Sequence, residues 1–321
     1  MSTSIQQIVS KDFDALNQNI LKQLNSEVPI IENIGKYLID AGGKRIRSLL
    51  VLLCSRAFGY EGGQHINLAT AIEFLHTATL LHDDVIDMSS LRRGKLTANL
   101  EWSNSYSVLV GDFIYSRAFQ LLVGIADMQI MNVIATTTNK ISEGEVLQLI
   151  NQHNIAATEL DYMNVIHHKT AILFAAACSS SAILANTDVS IQKKIYTFGL
   201  EVGMAFQLID DLLDYSGKSS ELGKNIGDDL TEGKPTLPLI YVMENGDADQ
   251  KELISIAVKE GGLDNLDEII TIVKESGALE YIQQKALERI AIAKECLTVI
   301  PNSPYKEGLE LVAQTAIERS K

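Results

Sequence analysis

"LLHDDVIDMSSLRRG", residues 80–94, places three aspartates inside a segment that otherwise reads as a buried helix. Asp83, Asp84 and Asp87 stand at i, i+1 and i+4, so on a helix they share an arc of about 100°, with Asp83 and Asp87 one turn apart. Carboxylates crowded this closely repel one another and each loses water, so the arrangement calls for cations. The pattern recurs in "QLIDDLLDY", residues 207–215, as Asp210, Asp211 and Asp214. One such cluster reads equally well as a solvated acidic turn. Two copies of D-D-x-x-D, each threaded through an apolar helix, point instead to hard oxygen ligands for Mg²⁺. That ion keeps several waters and binds through a few carboxylates plus phosphate oxygens. Helical bundles build such sites from facing helices, and the absence of Glu-x-x-His pairs argues against a di-iron centre.

The surrounding chain fits helices. No proline occurs between Pro29 and Pro235, and Ala, Leu, Ile and Gln dominate with apolar residues three and four apart. Helices are expected at 5–24, 31–39, 46–57, 66–88, 105–126, 129–148, 159–184, 190–215, 236–245 and 250–259, with several more towards the C-terminus. The Gly pairs at 42–43, 62–63 and 261–262 mark loops. Strand-type alternation is hard to find. No composition shift marks a linker, so an all-α single domain over 1–321 is expected.

With 321 residues, 46% of them apolar, the chain can bury a large core. Its formal charge of −14 argues against general nucleic-acid binding, which needs a basic face. Cys54, Cys178 and Cys296 are few and widely spaced, and read as buried apolar residues in a reducing compartment. The N-terminus "MSTSIQQIVSKDFDAL" lacks a basic region followed by an apolar one, and serines interrupt the longest apolar run, "AILFAAACSSSAILA". A cytoplasmic protein without a transmembrane segment is expected.

Cations stand near the acidic motifs. "GGKRIR" supplies Lys44, Arg45 and Arg47; Arg92 and Arg93 follow the first cluster; Lys169 and Thr170 lie in "HHKTAILF". Lys224 and Lys234 flank "GKNIGDDLTEGKPT" after the second cluster. Each alone reads as a surface charge, but with two magnesium-type clusters they describe a diphosphate site, since guanidinium and ammonium groups complement phosphate oxygens. Neither G-x-x-x-x-G-K-[ST] nor G-x-G-x-x-G is present, so no nucleotide loop is implied.

Together these segments resemble the trans-polyprenyl diphosphate synthases of the long-chain type. Both aspartate motifs match, as do "GGKRIR", "FLHTATLLHDD", "GDFIYSRAF", "EGEVLQL", "HHKTAILF" and "GKNIGDDLTEGKPTLPL", in order, over about residues 30–245, with weaker agreement across 246–321. The resemblance implies an isoprenoid-synthase-type helical bundle around a central cavity, usually a homodimer. It implies two to three Mg²⁺ ions held by Asp83, Asp84, Asp87, Asp210, Asp211 and Asp214, with Asp84 and Asp211 acting mainly from behind the ligands. Asp83, Asp87, Lys169, Asp210 and Asp211 would carry the catalytic step. Arg92, Lys169, Thr170, Gln207, Lys224 and Lys234 match allylic-diphosphate positions, while Lys44, Arg47, His76 and Arg93 match the isopentenyl diphosphate site. A lone helical histidine is usually a core residue; His76, however, falls two turns before Asp83 and about 20° from its face.

The implied reaction elongates farnesyl diphosphate with isopentenyl diphosphate, releasing pyrophosphate, to an octaprenyl chain for a quinone such as ubiquinone. Heptaprenyl and nonaprenyl (solanesyl) chains are the alternatives. In the family, bulky residues four and five positions before the first aspartate stop growth; Thr79 and Ala78 here are small, which disfavours a short product. "AFQLLVGIADMQIMNVI" reads as a helix hairpin turning near Asp127 and Met128, and Leu122 and Ile134, equidistant from the turn, could meet as a tunnel floor. Ordinary core packing would give the same pattern. Two departures from the family stand out: Ser48 where many members carry proline, and "DMSSLRRG" without acidic residues between the aspartates and the arginines. A silent subunit of a heteromeric synthase should have lost aspartates or arginines, and a terpene cyclase would not need Lys44, Arg47 and Arg93. All of these are present.

Overall fold

The proline-free run folds as one helix after another. The structure, a computed structural model, describes residues 2–216, 227–261 and 265–318. Its helices are α1 (Ser2–Ile8), α2 (Ser10–Gln23), α3 (Pro29–Asp40), α4 (Ile46–Ala57), α5 (Gln64–Ile86), α6 (Ala98–Glu101), α7 (Asn104–Ile125), α8 (Met128–Asn151), α9 (Glu159–Ile166), α10 (Ile172–Leu184) and α11 (Val189–Ser216). After them come α12 (Asp228–Thr231), α13 (Leu237–Asn245), α14 (Ala248–Glu260), α15 (Leu266–Glu275), α16 (Ala278–Cys296) and α17 (Pro304–Glu318). The all-α expectation holds, and α4 has its expected bounds.

Three local departures have physical causes. The expected first helix is two, because Val9 (φ −121°, ψ 32°) leaves helical geometry between α1 and α2. The expected helix 159–184 contains a π-helical turn, His167–Ala171, between α9 and α10. A two-stranded hairpin, β1 (Leu91–Arg92) against β2 (Lys95–Leu96), follows the first aspartate motif. Arg93 (φ 53°) and Gly94 (φ 75°) form its two-residue turn. Positive φ at both central residues is what a twisted hairpin of this length requires.

The chain divides into two compact units. One comprises Met1–Thr138, Leu173–Gly199 and Cys296–Val312; the other comprises Asn139–Ile172, Leu200–Glu295 and Ala313–Lys321. In the first, α5 packs along α7 and also against α4 and α2. Gly111 lets α7 approach α5, since a Cβ there would lie 2.4 Å from the His82 ring. Ser107 Oγ donates to the Leu81 carbonyl at 2.8 Å beside it. Cys54 and Cys178 are free and buried; Cys296 is half-buried. By length and composition α7 is the one described helix able to span a membrane, with a third of its apolar window buried. In the second unit, Tyr215, Leu239, Val242, Ile254, Ile269 and Val273 belong to one apolar core. Capping boxes start α9 (Thr158 with Asp161) and α14 (Asp247 with Gln250).

Candidate active site

The first aspartate motif ends α5. Asp83 and Asp84 lie in its last turn and Asp87 is its C-cap. A helix C-terminus carries partial negative charge, so three carboxylates there raise the demand for cations. Part of that demand is met within the protein. Asp84 is only 1% exposed, and its Oδ1 accepts from Arg92 Nε at 2.8 Å and Nη2 at 2.6 Å. Burial pushes the Asp84 carboxyl up, and the Arg92 bond works against that. Asp84 Oδ2 is buried and accepts no hydrogen bond.

The hairpin sends its two arginines to different places. Arg92 turns back to Asp84, whereas the Arg93 guanidinium presses on the chain at Gly43, where a Cβ would lie 2.6 Å from Nη1. Gly43, at φ 142°, is thus required twice over, for its backbone and for the missing side chain. Tyr37 of α3 secures the hairpin: its hydroxyl donates to the Leu96 carbonyl at 2.8 Å, and Lys95 Nζ lies 5.1 Å from its ring centre. A cavity opens here, lined by Arg45, His76, Asp84, Arg92 and Arg93 among others.

Beside it, Arg47 Nη1 meets His76 Nε2 at 3.2 Å, and the Arg47 guanidinium stacks 4.4 Å from the Phe174 ring centre. Arginine can only donate, so His76 Nε2 accepts and the imidazole is neutral with its proton on Nδ1. Burial, then the charges of Arg47, Arg93 and Arg92, hold His76 well below its usual value. Burial also lowers Arg47 to about 10, which leaves it a cation at neutral pH. Arg47 thus meets His76 directly, and Arg93 shares the cavity lining with His76. Lys44 is exposed and does not line the cavity.

The second motif lies in α11 and is fixed by a chain of hydrogen bonds. Thr170 Oγ1 donates to Gln207 Oε1 at 2.9 Å, and Gln207 Nε2 donates to Asp211 Oδ1 at 2.8 Å. Tyr162 donates its hydroxyl to Asp211 Oδ2 at 2.7 Å. Burial, then the nearby charge of Asp229, pushes Asp211 up to about 7. Asp214 is fully buried and Asp210 half-buried.

Lys169 and Thr170 sit in the π turn, a distortion that commonly marks functional sites. Two glycines make room for that turn. A Cβ on Gly144 would lie 2.7 Å from the Lys169 nitrogen, and one on Gly203 2.6 Å from Ala171 Cα. Lys169 Nζ donates to Glu145 Oε2 at 2.7 Å. Lys234 pairs with Glu232. Lys224 lies outside the described residues. Sequence reasoning did not single out Tyr162, Glu145 or Asp229; Glu145 stands in the quoted "EGEVLQL" segment, but nothing in its spacing distinguished it.

The donor set fits a hard divalent ion. Each motif offers carboxylate oxygens, and Asp84 Oδ2 is buried without a hydrogen-bond donor. Among the described residues no three His, Cys, Asp or Glu side chains gather into a ready-made cage.

Known chains are similar to this one in sequence and in fold. The family model for polyprenyl synthetases matches residues 28–274. The chain belongs to the polyprenyl synthetase family. It is 46% identical to an octaprenyl diphosphate synthase of Haemophilus influenzae, over 98% of this chain and 96% of that one. It is 45% identical to a geranyl-diphosphate-specific all-trans-nonaprenyl-diphosphate synthase of Rhodobacter capsulatus, over 97% and 96%. A polyprenyl synthase of Caulobacter crescentus, solved with calcium and isoprenyl diphosphate, superposes with a TM-score of 0.97 at 39% identity, covering 100% of this chain and 98% of that one. This polyprenyl synthetase is accordingly a trans-prenyltransferase, and its all-α fold is that of its structural neighbours.

Proposed function

We propose that this polyprenyl synthetase adds successive isopentenyl diphosphate units to farnesyl diphosphate and makes octaprenyl diphosphate. The observation that carries the chemistry is the shared construction of the motifs: in each, the middle aspartate is buried and fixed by protein donors. Asp84 and Asp211 then orient the motif, while Asp83, Asp87, Asp210 and Asp214 would meet two to three Mg²⁺ ions. When bound, Mg²⁺ supplies charge neutralisation to the departing diphosphate.

The protein's own groups do the rest. Arg92, Lys169, Thr170, Gln207, Lys224 and Lys234 hold the allylic diphosphate and offset the charge that grows on it as the C–O bond breaks. Lys44, Arg47, His76 and Arg93 hold isopentenyl diphosphate so that its double bond meets the allylic cation before water does. The released pyrophosphate takes the proton lost from the new allylic unit.

The octaprenyl relative supports an eight-unit product, with Ala78 and Thr79 letting the chain pass and Leu122 and Ile134 forming its floor. Ala78, Leu122 and Ile134 are buried, and Thr79 Oγ1 bonds to the His76 carbonyl at 2.9 Å. The nonaprenyl relative, at 45% identity, favours a second reading in which nine units are made. Tyr106, Leu109 and Val123 lie exposed on α7, an apolar face that a second copy would cover in the homodimer proposed here. We further propose a cytoplasmic enzyme whose product becomes a quinone side chain. Incubation with Mg²⁺, farnesyl diphosphate and labelled isopentenyl diphosphate tests the proposal. A dephosphorylated C40 alcohol is expected, and no labelled long-chain product would overturn it.

A further inference from the structure

Glu73 has no part in the chemistry above, yet it lines the cavity assigned to an anion. It is 7% exposed, on α5, and shares the cavity wall with Arg45, His76 and Arg93. A carboxylate at such a place repels a diphosphate, so its presence asks for a compensating task. Its surroundings name one. Ser48, fully buried and next to Arg47 in sequence, donates its hydroxyl to Glu73 Oε2 at 2.6 Å. The Glu73 charge acts on both Arg47 and Arg93, and these two arginines repel each other. Arg47 is half-buried and Arg93 exposed, so their repulsion is partly screened, and an anion beside the cavity offsets what remains. Phe174 and His76 fix Arg47 from one side, and Gly43 receives Arg93 from another. Among the described residues, Glu73 is the carboxylate whose charge favours both cations, and it lines the same cavity as Arg93.

We propose that Glu73, oriented by Ser48, is a positioning residue that keeps Arg47 and Arg93 together for isopentenyl diphosphate before the diphosphate arrives. The proposal rests on the function argued above. It gives the buried Ser48 a specific task, because its hydroxyl aims the carboxylate. It also confines the effect to one of two substrates, which a general packing role would not do.

Steady-state kinetics of the full-length enzyme test it, with each substrate varied at saturation of the other. Glu73→Gln keeps an acceptor for Ser48 and removes the charge. It should raise the KM for isopentenyl diphosphate by about tenfold while the KM for farnesyl diphosphate stays put. Ser48→Ala should shift the same KM in the same direction by less, and the double variant should be no worse than Glu73→Gln alone. An equal rise in both KM values, no change, or a lower isopentenyl KM, as loss of a repelling charge would give, overturns the proposal. Should Glu73→Gln fail to fold, Ser48→Ala decides the matter through the same split. A wild-type enzyme that consumes neither substrate would overturn the functional reading itself, and the role of Glu73 with it.

Discussion

Tyr162 donates a hydrogen bond from its phenolic hydroxyl to Oδ2 of Asp211 at 2.7 Å, and both residues are buried. The bond does for the second aspartate motif what Arg92 does for Asp84 in the first. In both, the middle carboxylate is taken up by protein donors, so its neighbours present their oxygens from a fixed backbone.

Tyr162→Phe should therefore loosen metal binding without removing a ligand. Losing a partner behind a metal site costs on the order of 10- to 100-fold in affinity or activity. The Mg²⁺ concentration giving half-maximal rate should rise at least about tenfold on that scale. An unchanged Mg²⁺ dependence would show that Gln207 alone suffices to hold Asp211.

Arg92→Ala should damage folding as well as turnover. It strands a carboxylate that is 1% exposed, and an unpaired buried acceptor costs about 1–3 kcal/mol, more if charged. Thermal unfolding should show a lower midpoint, and adding Asp84→Asn to the same chain should restore part of it.

Gly144→Ala should act on Lys169 from outside the substrate site. Its Cβ would meet the Lys169 nitrogen at 2.7 Å, and overpacking of this kind costs about 1–3 kcal/mol. The allylic KM should rise while the isopentenyl KM holds, as initial-rate kinetics would reveal.

His76 sets a pH signature. Its folded value lies well below the unfolded one, through burial and then its arginine neighbours. Above about pH 6.5 both states are neutral and stability is unaffected by it. Below that, the unfolded chain takes up a proton that the folded chain refuses, so stability falls as the pH drops. His76→Gln keeps an acceptor for Arg47 and cannot titrate. Its unfolding midpoint should decline less than the wild type's between about pH 6.5 and pH 5, measured by calorimetry.

Leu122→Ala should lengthen the product if this buried side chain is the tunnel floor. A product profile identical to the wild type's would return Leu122 to ordinary packing.

Much of this was legible in the sequence, for reasons that differ by residue. The helices announce themselves by spacing, and the aspartate trios by repeating a pattern too costly to be idle. The turn of the hairpin at 91–96 was hidden because Arg93–Gly94 lacks the asparagine or aspartate that usually marks positive φ. The π turn left no trace in "HHKTAILF", and the glycines that make room for it stand on other helices. Tyr162 stands 49 residues from the aspartate it serves, and nothing local couples them. Glu73 was passed over because a lone glutamate in an apolar helix shows its purpose only when Ser48 is seen beside it.

The hairpin that carries Arg92 and Arg93 has two residues in each strand, too few for a ladder that could hold itself closed. Its order is borrowed from Asp84, Tyr37 and Gly43. By linkage, a ligand that grips either arginine must also stabilise the closed hairpin. Amide hydrogen exchange between residues 88 and 97 should then slow when a diphosphate binds, making this short ribbon a built-in reporter of occupancy.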